Sequence, residues 1–513
     1  MKRRQFVTTL LTGASWLGAK RALGATYPIA KPAGEQAVSA KRYYQQFHEA
    51  AAKEARLLGF KNIEADFKRT ELHLEGSLPK GFTGTLLRNG PARYERDGCR
   101  LGHLFEGDGM VQRFAFGNGR VFHDGRFLRT SKFEAEQRAG KFLYSGPDTS
   151  IPNGLPVHTR DVINTANTSI LPVGENLWAL WEGGSAAKLD PESLAFEHFV
   201  DLGAGSDYGK TLQGLPFSAH PKVDPNGDIW NFGLLDGGKL VIYHLSPRGK
   251  VRKVALLATD YRAGLLHDFL ITERHLLFIL PSLARQSEAE GLFTGIRYDP
   301  QQPMRVLVVD KHSLALKRSY ELAAGFAFHF GNAWEERDGT IRFDASLYPN
   351  TDVIDGLGRV MRGQILSGTA ASQTALFMLK PSGQVEQSLF ANNSEFPRVS
   401  AAFTGRKNRY LFFTEAKHSS FWNDSVACID LSTQKQSQYY YGDGFMVEEH
   451  IPISRSPNEE AEFVIGTALH VPSKRTCVNI FNAGSLADGP LARAWLDHHL
   501  PLGFHGHFVW DQV

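Results

Sequence analysis

The stretch Phe326-Ala-Phe-His329-Phe-Gly-Asn332-Ala-Trp334-Glu335, followed by the turn pair Asp338-Gly339 and the run Thr340-Ile-Arg-Phe-Asp-Ala345, decides how the rest of the chain is read. In the run, apolar Ile341, Phe343 and Ala345 alternate with Arg342 and Asp344, the period-two pattern of a half-buried strand. Asp-Gly is a hairpin turn signal, because both residues tolerate a positive φ. Gly331 and Asn332 do not extend a helix well, so His329 is read at a strand end turning into a loop. One histidine in such a setting is either a hydrogen-bonded core residue or a ligand.

The same grammar recurs outward in both directions. Thr70-Glu-Leu-His-Leu-Glu, Asp228-Ile-Trp-Asn-Phe-Gly and Arg305-Val-Leu-Val-Val read as strands, and Asn118-Gly119, Asp224-Pro-Asn226-Gly227 and Ser382-Gly383 punctuate them. Short strands with hairpin turns and no run of βαβ units mean an all-β protein: propeller, barrel or sandwich. A propeller accommodates the length best. About 440 β-type residues over seven blades is roughly 60 per blade, above the minimum of about 40–45, and the excess would form long loops on one face. No WD dipeptide or kelch glycine pair repeats in register. Helical material concentrates between Gln36 and Arg69, as in Ser39-Ala-Lys-Arg-Tyr-Tyr-Gln-Gln-Phe-His-Glu-Ala50. Two loop-rich segments run from Pro281 to Pro300 and from Asp352 to Ser372. The second mixes apolar and basic residues and is either a membrane-touching or lid segment or an ordinary amphipathic helix.

The N-terminus reads Met1-Lys-Arg3-Arg4-Gln-Phe6, then a mostly apolar run to Ala19 and a small-residue exit at Ala22-Leu-Gly24-Ala25. A basic start and a short uncharged run describe an export signal, well short of the roughly 18 residues a membrane span needs. The Arg3-Arg4-x-Phe6 pairing points to the twin-arginine route and hence to the periplasm. The expected organisation is a signal at residues 1–25, a helical or extended segment at 26–69 and a propeller domain at 70–513. Cys99, Cys428 and Cys477 are widely spaced and odd in number, so neither a disulfide framework nor a zinc knuckle is indicated. Lys plus Arg number 57 against 54 Asp plus Glu, well mixed along the chain. A nucleic-acid surface needs clustered positive charge, so no nucleic-acid partner is expected.

Three other histidines share the setting of His329. They lie in Ser218-Ala-His220-Pro221, Leu265-Leu-His267-Asp268-Phe269 and Leu500-Pro501-Leu-Gly503-Phe504-His505-Gly506-His507. Each sits where a strand-like run meets a turn. The gaps of 47, 62 and 176 residues exclude a local metal motif and suit a fold whose blades converge on one axis. Four neutral imidazoles there would hold a divalent transition metal such as Fe, Cu, Zn or Ni.

With these segments in place, the chain resembles the carotenoid cleavage oxygenase family from about Leu72 to Val509. The resemblance also rests on Leu87-Arg-Asn-Gly-Pro91, His103-Leu-Phe-Glu-Gly-Asp-Gly-Met-Val111, Phe127-Leu-Arg-Thr130, Asn164-Thr-Ala-Asn-Thr-Ser169, Ala179-Leu-Trp-Glu182-Gly-Gly184 and Glu395-Phe-Pro-Arg398. It implies a seven-bladed propeller under a dome of loops, with one ferrous iron (Fe2+) held by His220, His267, His329 and His505. His507 is the nearest competitor to His505; Gly506 decides for His505, since the family places a glycine directly after its last ligand. Three glutamates are implied to orient the histidines: Glu182, Glu395 and Glu449, with Glu448 a rival for the last. Around Glu449 the usual Phe-Val-Pro and Glu-Asp-Asp-Gly are absent, and Ile451-Pro452-Ile453 and Asn458-Glu-Glu-Ala-Glu462 stand instead.

The implied activity is a dioxygenase that uses O2 to split a conjugated C=C bond of an apolar carotenoid or apocarotenoid into two carbonyl products. No protein acid, base or nucleophile is required, and no Ser-His-Asp or paired-carboxylate setting is recognisable. A stilbene-cleaving enzyme is the alternative, with Lys132 as candidate partner of a phenol. The family also contains a double-bond isomerase. From a different class, a non-catalytic propeller could bind a pigment or partner around a structural zinc. Peripheral membrane contact is compatible with substrates that live in bilayers.

Overall fold

In the computed structural model, which describes residues 8–10, 39–286, 291–365, 371–419, 421–456 and 458–511, seven antiparallel sheets form the blades of a propeller. From the axis outward, blade I runs His505–Trp510, Gly84–Arg93, Asp108–Gly117, Arg120–Phe127 and Phe67–Glu71. Blade II is Ser169–Val173 to Phe196–Phe199, blade III Lys222–Val223 to Val251–Ala258, and blade IV Leu270–Ile271 to Leu316–Leu322. Blade V begins with the broken pair Phe326–Ala327 and Ala333–Glu335 and ends at Val385–Leu389; blade VI spans Ser394–Arg398 to Lys435–Tyr440. Blade VII starts at Phe445–Ile453, and His73–Gly76 supplies its outermost strand. The ring is therefore clasped twice, by an early strand on blade VII and a late strand on blade I. The propeller strands begin at Phe67, ahead of the expected boundary at residue 70. The expected signal segment lies outside the described residues apart from Thr8–Leu10, an edge strand on blade III.

A repeat links alternate blades. Asp190-Pro-Glu-Ser193-Leu194-Ala195 in blade II and Asp310-Lys-His-Ser313-Leu314-Ala315 in blade IV make the same turn, 120 positions apart. In each, the serine amide donates to the aspartate Oδ1 at 2.7 Å. Each leucine takes a positive φ, 58° and 55°, and is fully buried. A left-handed leucine is strained; the Asp–Ser bonds and the leucine's burial hold it there. Asp430-Leu-Ser432-Thr-Gln434, a further 120 positions on in blade VI, is a variant with Gln434 at φ 59°. The spacing is two blades of 60 residues.

Apolar strand faces pack blade against blade. Phe232 of blade III meets Phe278 of blade IV edge to face at 5.6 Å. At the ring seam, Phe82 touches Phe116, Phe508 and Phe463 at 5.4 to 5.6 Å between ring centres. Each such ring contributes about 1.5–3 kcal/mol by leaving water. The seam also needs close backbone approach: a Cβ on Gly90 would lie 2.5 Å from the Cα of Gly503.

Three α-helices are found among the described residues, between or ahead of the blade strands. They are α1 (Ser39–Ala51), α2 (Ser131–Ala139) and α3 (Asp352–Met361). The segment Asp352–Ser372, expected as a lid or an amphipathic helix, contains α3, whose buried face includes Ile354, Val360 and Met361. Arg100, fully buried, stacks 3.3 Å from the ring centre of Phe47 in α1 and donates to the carbonyls of Phe60 and Met361, both at 2.7 Å. It thereby ties the N-terminal segment to α3.

Candidate metal centre

Each blade contributes one residue to the centre of the ring: His505, Glu182, His220, His267, His329, Glu395 and Glu449 from blades I to VII in turn. The four histidines each offer a ring nitrogen, and all four atoms lie within 4.8 Å of one another. Local bonding puts them there. Ser218 is pinned to Asn231 through its hydroxyl and its carbonyl, which fixes the approach to His220. Asn332 donates to the carbonyls of Phe403 and Arg406 and accepts from the Gly405 amide, anchoring the loop after His329 to blade VI. Asp344 accepts the Gly331 and Asn332 amides, and burial pushes its carboxyl up to about 7.

One carboxylate absent from the expected set braces three of these segments together. Asp268, next to His267, accepts the amide of Phe330, next to His329, at 3.2 Å. It also accepts the Lys222 ammonium at 2.7 Å, two residues beyond His220. It is 2% exposed.

The three expected glutamates stand behind three of the histidines. His267 Nδ1–H donates to Glu182, His329 Nδ1–H to Glu395 at 2.6 Å and His505 Nδ1–H to Glu449 at 2.9 Å. Tyr348 OH donates to the other oxygen of Glu395 at 2.9 Å. Glu449 also takes Arg398 Nε and the Gly506 amide, both at 2.8 Å. Burial would raise its carboxyl, but Arg398 and His505 outweigh that and hold it well below the usual range. Glu448 turns the other way, to Arg88, Thr467 and the Gly503 amide. A register shift between Val447 and His450 accompanies this split.

The histidines are arranged as neutral ligands. Burial first, then neighbouring imidazoles, hold His220 and His267 well below the ordinary imidazole value, and burial brings His505 down to about 4. With Nδ1 protonated toward glutamate, Nε2 carries a bare lone pair. Yet Nε2 of His267 lies 3.2 Å from that of His329, whose Nδ1 is likewise turned to a glutamate. Lone pairs repel at that range unless a cation lies between them. Two nitrogens about 2.1 Å from one ion and at right angles to each other would be about 3 Å apart, so the set fits a transition metal.

A cavity of about 330 Å³ opens onto His267, His329 and His505. Its walls are mainly aromatic, with Phe105, Phe293, Phe328, Phe396 and Phe504, and α3 covers it through Val353, Leu357 and Val360. Lys132 does not line it, contrary to the role considered from sequence. The first turn of α2 buries it between Asp108 at 2.7 Å and Glu136 at 2.9 Å, and those carboxylates outweigh burial to push its ammonium up to about 12. His507 lies outside the histidine cluster, two residues beyond His505 on the same strand. His103 caps the turn Leu104–Glu106 and bonds the Ile354 carbonyl of α3 through Nε2 at 3.1 Å.

A propeller with converging imidazoles backed by carboxylates, under an aromatic cavity, defines a metalloprotein that handles apolar molecules. The chain belongs to the carotenoid cleavage oxygenase family: the family model described as RPE65, retinal pigment epithelial membrane protein, matches residues 60–510. It is 30% identical over 470 residues to the apocarotenoid-15,15'-oxygenase of Synechocystis sp., covering 86% of this chain and 92% of that protein. It is 25% identical over 491 residues to lignostilbene-alpha,beta-dioxygenase isozyme III of Sphingomonas paucimobilis, covering 87% and 94%. The crystal structure of cobalt-substituted Synechocystis ACO superposes with a TM-score of 0.78 at 28% identity, over 91% of this chain and 99% of that one.

Proposed function

We propose that this protein is an iron(II)-dependent dioxygenase that cleaves a conjugated C=C bond of a carotenoid or apocarotenoid. One alkene and one O2 become two carbonyls, so both oxygen atoms are retained and no external reductant is needed. The observation that carries the reading is the four-histidine cluster opening directly onto an aromatic cavity. His220, His267, His329 and His505 would hold the iron, which supplies the electronic coupling that lets triplet dioxygen react with an alkene. Glu182, Glu395 and Glu449 fix the tautomer and orientation of three ligands and offset part of the charge. The aromatic walls stack on a polyene and exclude water. Glu182 and Glu395, the carboxylates lining the cavity, are committed to His267 and to His329 with Tyr348. This supports a mechanism without a protein general base.

The stilbene alternative is disfavoured by the lining. Among the described lining residues there is no Lys or Arg to meet a phenolate, and Lys132 is spent on its two carboxylates. Metal analysis with mass spectrometry of products from carotenoids, apocarotenoids and stilbenes tests the reading. Zinc in place of iron, or no carbonyl products from any of them, overturns it. His329→Ala should lose the metal while the propeller stays folded.

Export to the periplasm belongs to the same proposal, supported by Arg3-Arg4-x-Phe6 and the apolar run after it; fractionation of cells carrying an Arg3→Lys, Arg4→Lys variant tests it. No helix among the described residues is long and apolar enough to cross a membrane. Peripheral contact for substrate extraction is tested by cosedimentation with lipid vesicles.

A further inference from the structure

The polar groups around the cavity are mostly committed. Asn167 donates to the carbonyls of Phe105 and Gly107 and accepts from Thr168. Tyr348 donates to Glu395, and Trp422 Nε1 donates to the Val447 carbonyl. Two lining asparagines differ. The side-chain amide of Asn423 has no hydrogen-bond partner among the described residues. Among the described residues that of Asn393 meets only Ser372 Oγ, at 3.3 Å, which leaves at least one N–H without a partner among them in either orientation of the amide. Both residues are half-buried and line the cavity.

They are also neighbours. The Ala416 amide donates to the Asn393 carbonyl at 2.9 Å, and the Asp424 amide to the Glu415 carbonyl at 2.9 Å. Ser394 pairs with Glu415, which pairs with Ser425. Just past the strand ends the row continues as Asn393, Ala416 and Asp424, with Asn423 one residue beyond it, and Asn393, Ala416 and Asn423 all line the cavity at this end of blade VI. Both amides border the cavity, where an amide without a protein partner is satisfied by solvent or by the oxygen of a ligand.

We infer that Asn393 and Asn423 form a recognition wall for a neutral oxygen, the carbonyl or hydroxyl of an oxygenated apocarotenoid. This rests on the polyene reading of the cavity. The amides are uncharged, so the group they suit is an aldehyde, ketone or alcohol and not a phenolate. Glu395, two residues beyond Asn393, bonds His329. The wall would thus hold the oxygenated end at a set distance from the metal centre and so choose which double bond is presented to it.

The test uses the full-length metal-loaded protein with three probes of matched chain length: an apocarotenal, the corresponding apocarotenol and a hydrocarbon polyene. Binding is read from quenching of tryptophan emission, since Trp181 and Trp422 line the cavity. Asn423→Leu and Asn393→Leu should each weaken the aldehyde and the alcohol about threefold to tenfold and leave the hydrocarbon unweakened. Asn423→Gln, which keeps the amide, should restore part of the difference. Equal weakening of all three probes, or of none, overturns the inference. Should Asn393→Leu disturb blade VI, Asn423→Leu, outside the strands, carries the test alone. A protein that prefers oxygenated probes but releases no carbonyl products would refute the oxygenase reading and uphold this one. Products formed without any preference would do the reverse.

Discussion

Asp268 is the residue whose substitution should lower stability and metal affinity together. Its carboxylate holds the Lys222 ammonium and the amides of Phe269 and Phe330, so it connects the segments of His220, His267 and His329. Asp268→Asn keeps the volume but replaces one acceptor oxygen with an NH2 that must face either an N–H or an ammonium. Leaving one buried donor unmet costs about 1–3 kcal/mol, and more for a charged one. The variant should therefore lose about 2–4 kcal/mol of stability by urea unfolding. The same displacement loosens three ligands at once. Metal affinity should fall about 10–100-fold, the range seen when a group supporting a metal ligand is lost. Chelator competition followed by metal analysis measures the affinity, and the apo protein supplies the stability term without it. Asp268→Asn with native metal affinity would sink the argument, whatever its stability, because it would mean the ligands are positioned without their shared brace.

Glu448 and Glu449 should part company: Glu449→Gln lowers metal affinity about 10–100-fold, whereas Glu448→Gln lowers the unfolding midpoint with little change in metal content. Arg100→Met removes a buried cation facing Glu95 and two carbonyls; a loss of about 3–5 kcal/mol is expected, with a raised KM because α3 is no longer tied to α1. An unchanged unfolding midpoint would refute the pinning role. Burial holds His123 down to about 3, below its unfolded value near 6.5. A group depressed in this way gives its full stability above about pH 6.5 and loses it as pH falls toward 3, because only the unfolded chain takes the proton. Against His123→Gln, the wild type should lose about 1.4 kcal/mol per pH unit across that window. Parallel urea midpoints for the two proteins would show that the imidazole is not held neutral.

Strand alternation and turn pairs made the propeller legible because every blade must bury one face of its inner strands. The histidines were legible because each lies at a strand end with glycine, proline or aspartate one or two residues on. Asp268 was adjacent to one of them and still invisible, since its partners stand 46 and 62 positions away and nothing local marks them. The Asp-x-x-Ser-Leu turn was written in the chain, but it recurs in alternate blades and so escapes a search for a motif in every blade. Lys132 was misplaced because a helix register decides whether a lysine meets the cavity or the carboxylates beside it. The 35 phenylalanines were uninformative as a count; only the fold sorts those around the cavity from those at the blade contacts.

The double clasp has a further consequence for when the metal centre can exist. Its seven residues occur along the chain in the order in which the blades stand around the axis, from Glu182 through to His505, and His505 is carried on the strand that docks against Gly84–Arg93. During synthesis the first six can emerge and begin to fold without forming a complete site. The fourth imidazole arrives only when that strand seats on blade I and the circle shuts. Metal uptake is thus a late event that reports a finished ring, and a bound ion would in turn fasten the seam by joining blade I to blades III, IV and V.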